Sequence, residues 1–168
     1  MICCFTGHRP KGFPFPRKVE SLSYKSYLSE LKSKINSLID EGYDHFVCGM
    51  AAGADLDFAL CVLEAQKSTP HITLEAALPS PYKEGKKATE DTEQNRDTIL
   101  PLCNYIVTVS DFYFRGCMQK RNRYMVDKCD LVLAVWNGTE DGGTWYTIKY
   151  ANSKEKKVDV INLKEHIQ

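Results

Sequence analysis

Three short apolar runs in this chain each stop at a glycine-bearing turn, and two of those turns open a helical pattern. The turns are Thr6-Gly7-His8-Arg9-Pro10, Gly49-Met50-Ala51-Ala52-Gly53-Ala54-Asp55 and Gly138-Thr139-Glu140-Asp141-Gly142-Gly143-Thr144. A strand that ends in small residues and feeds a helix leaves backbone N–H groups exposed at the positive end of the helix dipole. That arrangement binds phosphate or another anion. Repeated along a strand–helix pattern, such turns gather at the C-terminal edge of a parallel sheet.

Periodicity supplies the rest of the pattern. From about Val19 the spacing becomes helical, with Leu28, Leu31, Ile35, Leu38 and Ile39 at intervals of three and four, and Tyr24 and Tyr27 extending the stripe. Gly42 suits the left-handed position after that helix ends. Strands are expected at residues 2–6, 45–49, 72–78, 105–109, 131–136 and 158–163, and further helices at 55–67, 118–128 and 144–152. Residues 83–96 are polar and read as an exposed helix or lid, and Tyr82 just before them is a candidate for stacking on a base. Several strands are continuous apolar runs, as strands covered on both faces are. The expected fold is α/β: a Rossmann-like, doubly wound, mainly parallel sheet of about six strands with helices on both faces. It forms a single domain over residues 1–168.

Composition narrows the partners. Lys plus Arg and Asp plus Glu are 22 each, so the overall charge points to neither a nucleic acid nor a membrane surface. Seven cysteines form no C-x-x-C pair, and Cys3, Cys48, Cys61, Cys103 and Cys129 lie among apolar neighbours. Buried free thiols and a cytoplasmic location are therefore expected. Arg9-Pro10-Lys11 interrupts the first apolar run too early for a secretory signal, and no run is long enough to span a bilayer. No metal is expected, because no His/Cys/Asp cluster has zinc spacing. Gly-x-Ser-x-Gly and Gly-Lys-Ser/Thr are absent, which disfavours a nucleophile elbow and a P-loop. His71 and His166 read as surface residues.

The ligand-binding candidates follow from the turns. Gly49, Ala52, Gly53 and Ala54 keep the second turn small enough for a phosphate to approach the backbone. Asp55 is placed to cap the next helix, to accept from a ribose hydroxyl or to act as a base. Gly7, His8 and Arg9 bring a glycine, an imidazole and a guanidinium fork to the end of the first strand. Gly142, Gly143 and Thr144 form a second half-cradle. Arg121 and Asn122 lie in a basic stretch, Lys120 to Arg123, early in a helix. There they oppose the dipole and suggest a rim over an anionic ligand.

Thr-Gly-His-Arg-Pro after the first strand, Gly-Met-Ala-Ala-Gly-Ala-Asp after the second, and Arg-Asn-Arg-Tyr-Met-Val-Asp before the fifth together resemble the YpsA-like branch of the SLOG superfamily. That superfamily includes the DprA/Smf and LOG proteins. The resemblance covers roughly residues 1–165 and implies a Rossmann-like fold with a site for a nucleotide or nucleotide-derived ligand. By match, Gly7, His8, Arg9, Gly49, Gly53 and Asp55 carry that site. LOG enzymes cleave the N-glycosidic bond of nucleoside monophosphates and carry Pro-Gly-Gly-x-Gly-Thr-x-x-Glu. Here the equivalent stretch, Asp141 to Lys149, lacks the third glycine and the glutamate. The leading expectation is a cytoplasmic sensor or regulator that binds a nucleotide or ADP-ribose-like ligand. The alternatives are an N-glycosidic hydrolase using His8 or Asp55, and single-stranded DNA binding through Lys120–Arg123. A homodimer stays open, and no cofactor is fixed.

Overall fold

The computed structural model describes residues 1–81 and 96–168. Six strands form one sheet: β1 (Ile2–Gly7), β2 (His45–Cys48), β3 (Thr73–Leu78), β4 (Tyr105–Thr108), β5 (Leu131–Trp136) and β6 (Lys157–Asn162). Their order is β4-β3-β2-β1-β5-β6, and every neighbouring pair is parallel. The Rossmann-like expectation therefore stands. The segment 83–95 expected as a helix or lid, and Tyr82, lie outside the described residues.

Among the described residues, four helices cover the sheet: α1 (Leu22–Asp40), α2 (Ala54–Gln66), α3 (Cys117–Lys128) and α4 (Gly142–Ser153). The stripe read from the sequence is the buried face of α1, where Tyr27, Leu31, Ile35 and Leu38 are all enclosed. α1 packs on α2, and α3 packs on α4. The period-two geometry of a strand divides the core between the two faces. Cys3 and Phe5 join the larger apolar cluster with α1 and α2, where Phe5 stacks on Phe58 at 4.3 Å. Cys4 faces the other way, into a smaller cluster with Met125 and Val126 of α3 and Ala151 of α4. All seven cysteines are free. No helix among the described residues is long and apolar enough to cross a membrane.

Two expectations need correction. His166 is buried, with Nδ1 2.8 Å from Ser26 Oγ, because the last 3-10 turn (Leu163–His166) tucks against α1. Position near a chain end says nothing about such docking. Asp55 does not cap α2. The cap position is Gly53, with φ +98°, and Asp55 lies in the first turn of the helix.

The N-terminal edge of the sheet carries a buried ionic cluster. Glu75 on β3 accepts hydrogen bonds from Tyr124 and Lys128 of α3 and lies 3.0 Å from His45 Nε2. Burial pushes this carboxyl up, but the hydrogen bonds with His45, Lys128 and Tyr124 outweigh it and hold Glu75 down to about 2. A depressed carboxylate stabilises the fold above its unfolded pKa and loses that contribution as pH falls through its folded value. Urea midpoints are therefore expected to fall as pH drops from about 4.5 to about 2. A Glu75→Gln variant should show a flatter profile over that window.

Candidate functional site

β1 sits at the point where the strand order reverses, between β2 on one side and β5 on the other. Loops leaving such neighbours diverge to opposite faces and open a crevice beyond the carboxyl ends of the strands. A cleft of about 280 Å³ lies there. Its floor is Phe5, Thr6 and Gly7 of β1. One wall is His8, Arg9, Ala51 and Asp55, and the other is Met118, Arg121, Asn122 and Met125 of α3 with Gly143 and Thr144 of α4. Gly7, His8, Arg9, Asp55, Arg121, Asn122, Gly143 and Thr144, all expected from sequence, thus meet in one place.

Gly49, Ala52, Gly53, Ala54 and Gly142 are not part of that lining, and three of these positions have a packing role. A Cβ on Gly49 would fall 1.6 Å from Arg121 Nη1, so the glycine leaves room for the guanidinium. A Cβ on Gly53 would fall 2.5 Å from the His8 carbonyl oxygen. The Ala54 N–H donates to that same oxygen at 3.0 Å, and a Cβ on Gly7 would meet the Ala54 Cβ at 2.4 Å. The small residues of the second turn therefore let the first turn lie against α2. Met50 in that turn has φ +53°, a left-handed conformation that side chains adopt at a cost.

Arg121 is the central surprise. Expected on a basic rim, it is only 6% exposed. Its Nη1 donates to the Ala77 carbonyl at 3.1 Å and its Nε to Asn122 Oδ1 at 2.8 Å. Asn122 in turn donates to Thr147 Oγ1, which donates to the Gly143 carbonyl. This chain ties α3 to the first turn of α4. Burial lowers the Arg121 pKa against the pull of the Asp55 charge. Among the described residues, neither Arg121 nor Arg9 makes an ion pair.

Asp55 is 5% exposed, and its Oδ2 accepts from the Ala51 N–H at 3.1 Å. Burial pushes its carboxyl up to about 6, against the opposing charge of Arg121 and the Ala51 hydrogen bond. A carboxyl raised above its unfolded value loses stability as pH rises through the folded value. Asp55→Asn, which keeps an acceptor for Ala51, is therefore expected to stabilise the protein at pH 8 by about 1–2 kcal/mol. It should change little at pH 4, and urea unfolding at the two pH values checks this. His8 has its pKa lowered by burial, and its Nε2 is enclosed without a hydrogen-bond partner among the described residues.

Several supporting residues were not apparent from sequence. Arg17 Nη2 donates to Asp57 Oδ1 at 2.8 Å, and the Tyr24 hydroxyl donates to the same oxygen at 2.7 Å. The Arg17 guanidinium also lies over the Phe13 ring, which fastens the loop after β1 onto α2. Asn137 donates to the Gly12 carbonyl from the far side. These partners lie 40 and 125 residues apart in the chain, so no local pattern signals them. Met118 and Met125, which line the cleft, sit seven apart on α3.

Residues 3–165 match the model of the YpsA family, described as the YspA SLOG family. The chain belongs to that family. Relatives include a UPF0398 protein of Bacillus pumilus, 25% identical over 155 residues that cover 90% of this chain and 82% of the relative. The SPbeta prophage-derived protein YoqJ of Bacillus subtilis is 28% identical and covers 67% of this chain and 75% of its own. The UPF0398 protein YpsA of the same organism is 18% identical over 93% of this chain and 87% of its own. Among solved structures, DNA processing protein A (DprA) from Streptococcus pneumoniae superposes with a TM-score of 0.61 at 15% identity. The match covers 94% of this chain and 49% of that one, and the likeness is one of fold. The family member thus keeps the first two sequence motifs at the crevice, with the third facing them across it.

Proposed function

We propose that this SLOG-family domain binds a small anionic, nucleotide-like ligand in the cleft beyond β1 and β5, and acts as a binding or sensing protein. The supporting observation is the buried Arg121 guanidinium. A cation enclosed with no ion pair among the described residues is costly, and an anionic ligand adds negative charge beside that of Asp55. Arg9 adds a second cation to the same cleft. The Gly143 and Thr144 N–H groups, at the start of α4, have no acceptor among the described residues. Phe5, Met118 and Met125 offer apolar surface to the rest of the ligand.

A thermal-shift panel of nucleotides and their derivatives tests this. A ligand at a hundred times its Kd stabilises by about 2.7 kcal/mol, which for a chain of this size raises Tm by roughly 5–10 °C. A panel in which nothing moves the midpoint rules the reading out.

A second reading, N-glycosidic hydrolysis, is favoured by one observation. Asp55 is a buried carboxyl in the cleft that titrates at about 6, a suitable value for a proton-transferring group. Its test is release of free base from nucleoside monophosphates, with turnover lost in Asp55→Asn. DNA binding through Lys120–Arg123 gains little, because Arg121 is buried and Arg123 is engaged by the Tyr146 hydroxyl at 2.6 Å.

A further inference from the structure

Strand alternation sends the two adjacent cysteines of β1 to opposite faces of the sheet. Cys3 points into the larger apolar cluster and Cys4 into the smaller one. Cys129, the residue that follows α3, lies in that smaller cluster as well. The Cys4 and Cys129 sulfurs are 3.2 Å apart, although 125 residues separate them in the chain. Among the described residues this is the one thiol–thiol hydrogen bond. A disulfide holds its sulfurs about 2.05 Å apart, so from 3.2 Å the pair has to close by about 1.2 Å.

The backbone holds the pair in place. The Asp130 N–H donates to the Ile2 carbonyl at 2.8 Å, and the Ile2 N–H donates to Asp130 Oδ2 at 2.7 Å. These bonds fasten β1 to the residue next to Cys129. Lys156 Nζ donates to the Cys129 carbonyl at 2.7 Å, which brings an ammonium beside the thiol. The two thiols differ in acidity. The hydrogen bond from Cys4, helped by the Lys156 charge, pulls the Cys129 thiol below its ordinary value against the push of burial. Burial holds the Cys4 thiol well above its own. Cys129 is thus the sulfur that ionises, and Cys4 the one that keeps its proton.

We propose that Cys4 and Cys129 are a peroxide-oxidised thiol pair, whose reversible disulfide joins β1, the floor of the cleft, to the end of α3, its wall. This chemistry is independent of what the cleft binds. The Cys129 thiolate attacks one oxygen of hydrogen peroxide. The O–O bond breaks, and the departing hydroxide takes up a proton as water. That leaves a sulfenic acid on Cys129. The Cys4 sulfur then attacks the Cys129 sulfur. The S–S bond forms, the S–O bond breaks, and the Cys4 proton leaves with the oxygen as a second water. Two thiols give up two electrons and one peroxide takes them. A dithiol reductant reverses the bond by exchange and is itself oxidised to a disulfide. Both sulfurs are buried, which slows the first step and selects an oxidant as small as peroxide. Burial does not slow the second step, because Cys4 already touches the sulfur it attacks. Exposure alone would instead select Cys103, the one thiol of the seven that is not buried.

The test treats the reduced, folded chain with excess hydrogen peroxide at neutral pH, then denatures, alkylates and digests it for mass spectrometry. A Cys4–Cys129 crosslink is expected, with two of the seven thiols lost to alkylation and both recovered after dithiothreitol. Oxidation confined to Cys103 overturns the assignment, as does sulfinic acid on Cys129 without a crosslink. So does a chain in which Cys4 and Cys129 both stay alkylatable. Cys103→Ser removes the exposed competitor and should leave the crosslink yield unchanged. Loss of the crosslink in that variant shows a relay through Cys103 and overturns direct oxidation of the pair. Thermal unfolding without reductant separates a bond made in the folded state from one made in an opened chain. The oxidised form should keep the parent circular dichroism and unfold at a higher temperature, because the crosslink constrains the unfolded chain. A lowered Tm shows that the bond distorts the fold and overturns a disulfide built into it.

Discussion

Gly53→Ala is expected to destabilise the protein by about 3 kcal/mol. Two costs add. The residue holds φ +98°, a conformation L side chains avoid, and the new Cβ would fall 2.5 Å from the His8 carbonyl oxygen. The collision is with backbone on a second loop, so no side-chain rotation relieves it. Moving that loop also breaks the 3.0 Å hydrogen bond from Ala54 and the grip of Arg17 on Asp57. For a chain of this length the loss corresponds to a fall in Tm of roughly 6–12 °C. Gly143→Ala, with nothing within 4 Å of its Cβ, is the matched control and should shift Tm by no more than a degree or so. Equal Tm values for the two variants would show that the contact between the first two turns is not what Gly53 serves.

Arg121→Met should move binding and stability in opposite directions. Methionine keeps most of the apolar bulk against α3 and removes the charge. The free protein then no longer encloses a guanidinium that has no ion pair among the described residues, so its urea midpoint should rise or hold. Affinity for an anionic ligand should fall about a hundredfold, equivalent to about 2.7 kcal/mol. Gly49→Ala reaches the same endpoint by another route. Its Cβ would occupy the space of the guanidinium, 1.6 Å from Nη1, and the side chain must leave. Two variants on different elements, both folded and both weak in binding, separate a role for Arg121 in holding the ligand from a role in holding the fold. Calorimetry with the tightest ligand of the panel, paired with urea unfolding, reads both quantities.

Much of the site was legible in sequence because its elements are local. A glycine turn after a strand is written in consecutive residues, and three such turns necessarily meet at one edge once the strands lie parallel. Gly143 and Thr144 line the cleft at that edge. Residues for which the packing offers a second account share one cause. Gly49, Gly53 and Ala54 were assigned to phosphate because small residues after a strand suit a ligand. Small residues suit a close protein neighbour equally well, and here they meet Arg121 and the backbone of His8 and Arg9. Arg121 was expected on a basic rim beside Lys120 and Arg123, and its burial was not. Helical geometry turns residue 121 toward the core side of α3, alongside Met125 and Val126.

The sequence by itself determined the strand–helix alternation, the parallel sheet with covered faces, and the edge of the sheet where a ligand site would form. Those follow from periodicities of two and 3.6 and from where glycine interrupts them. Only the tertiary structure decided which small residues lie against protein and which face open space. That choice depends on where a guanidinium 72 residues from Gly49 comes to rest, and on which carbonyl meets the Ala54 N–H. Hydrogen bonds and close contacts between distant segments leave no periodic trace in the chain, so a cradle and a packing turn have the same spelling.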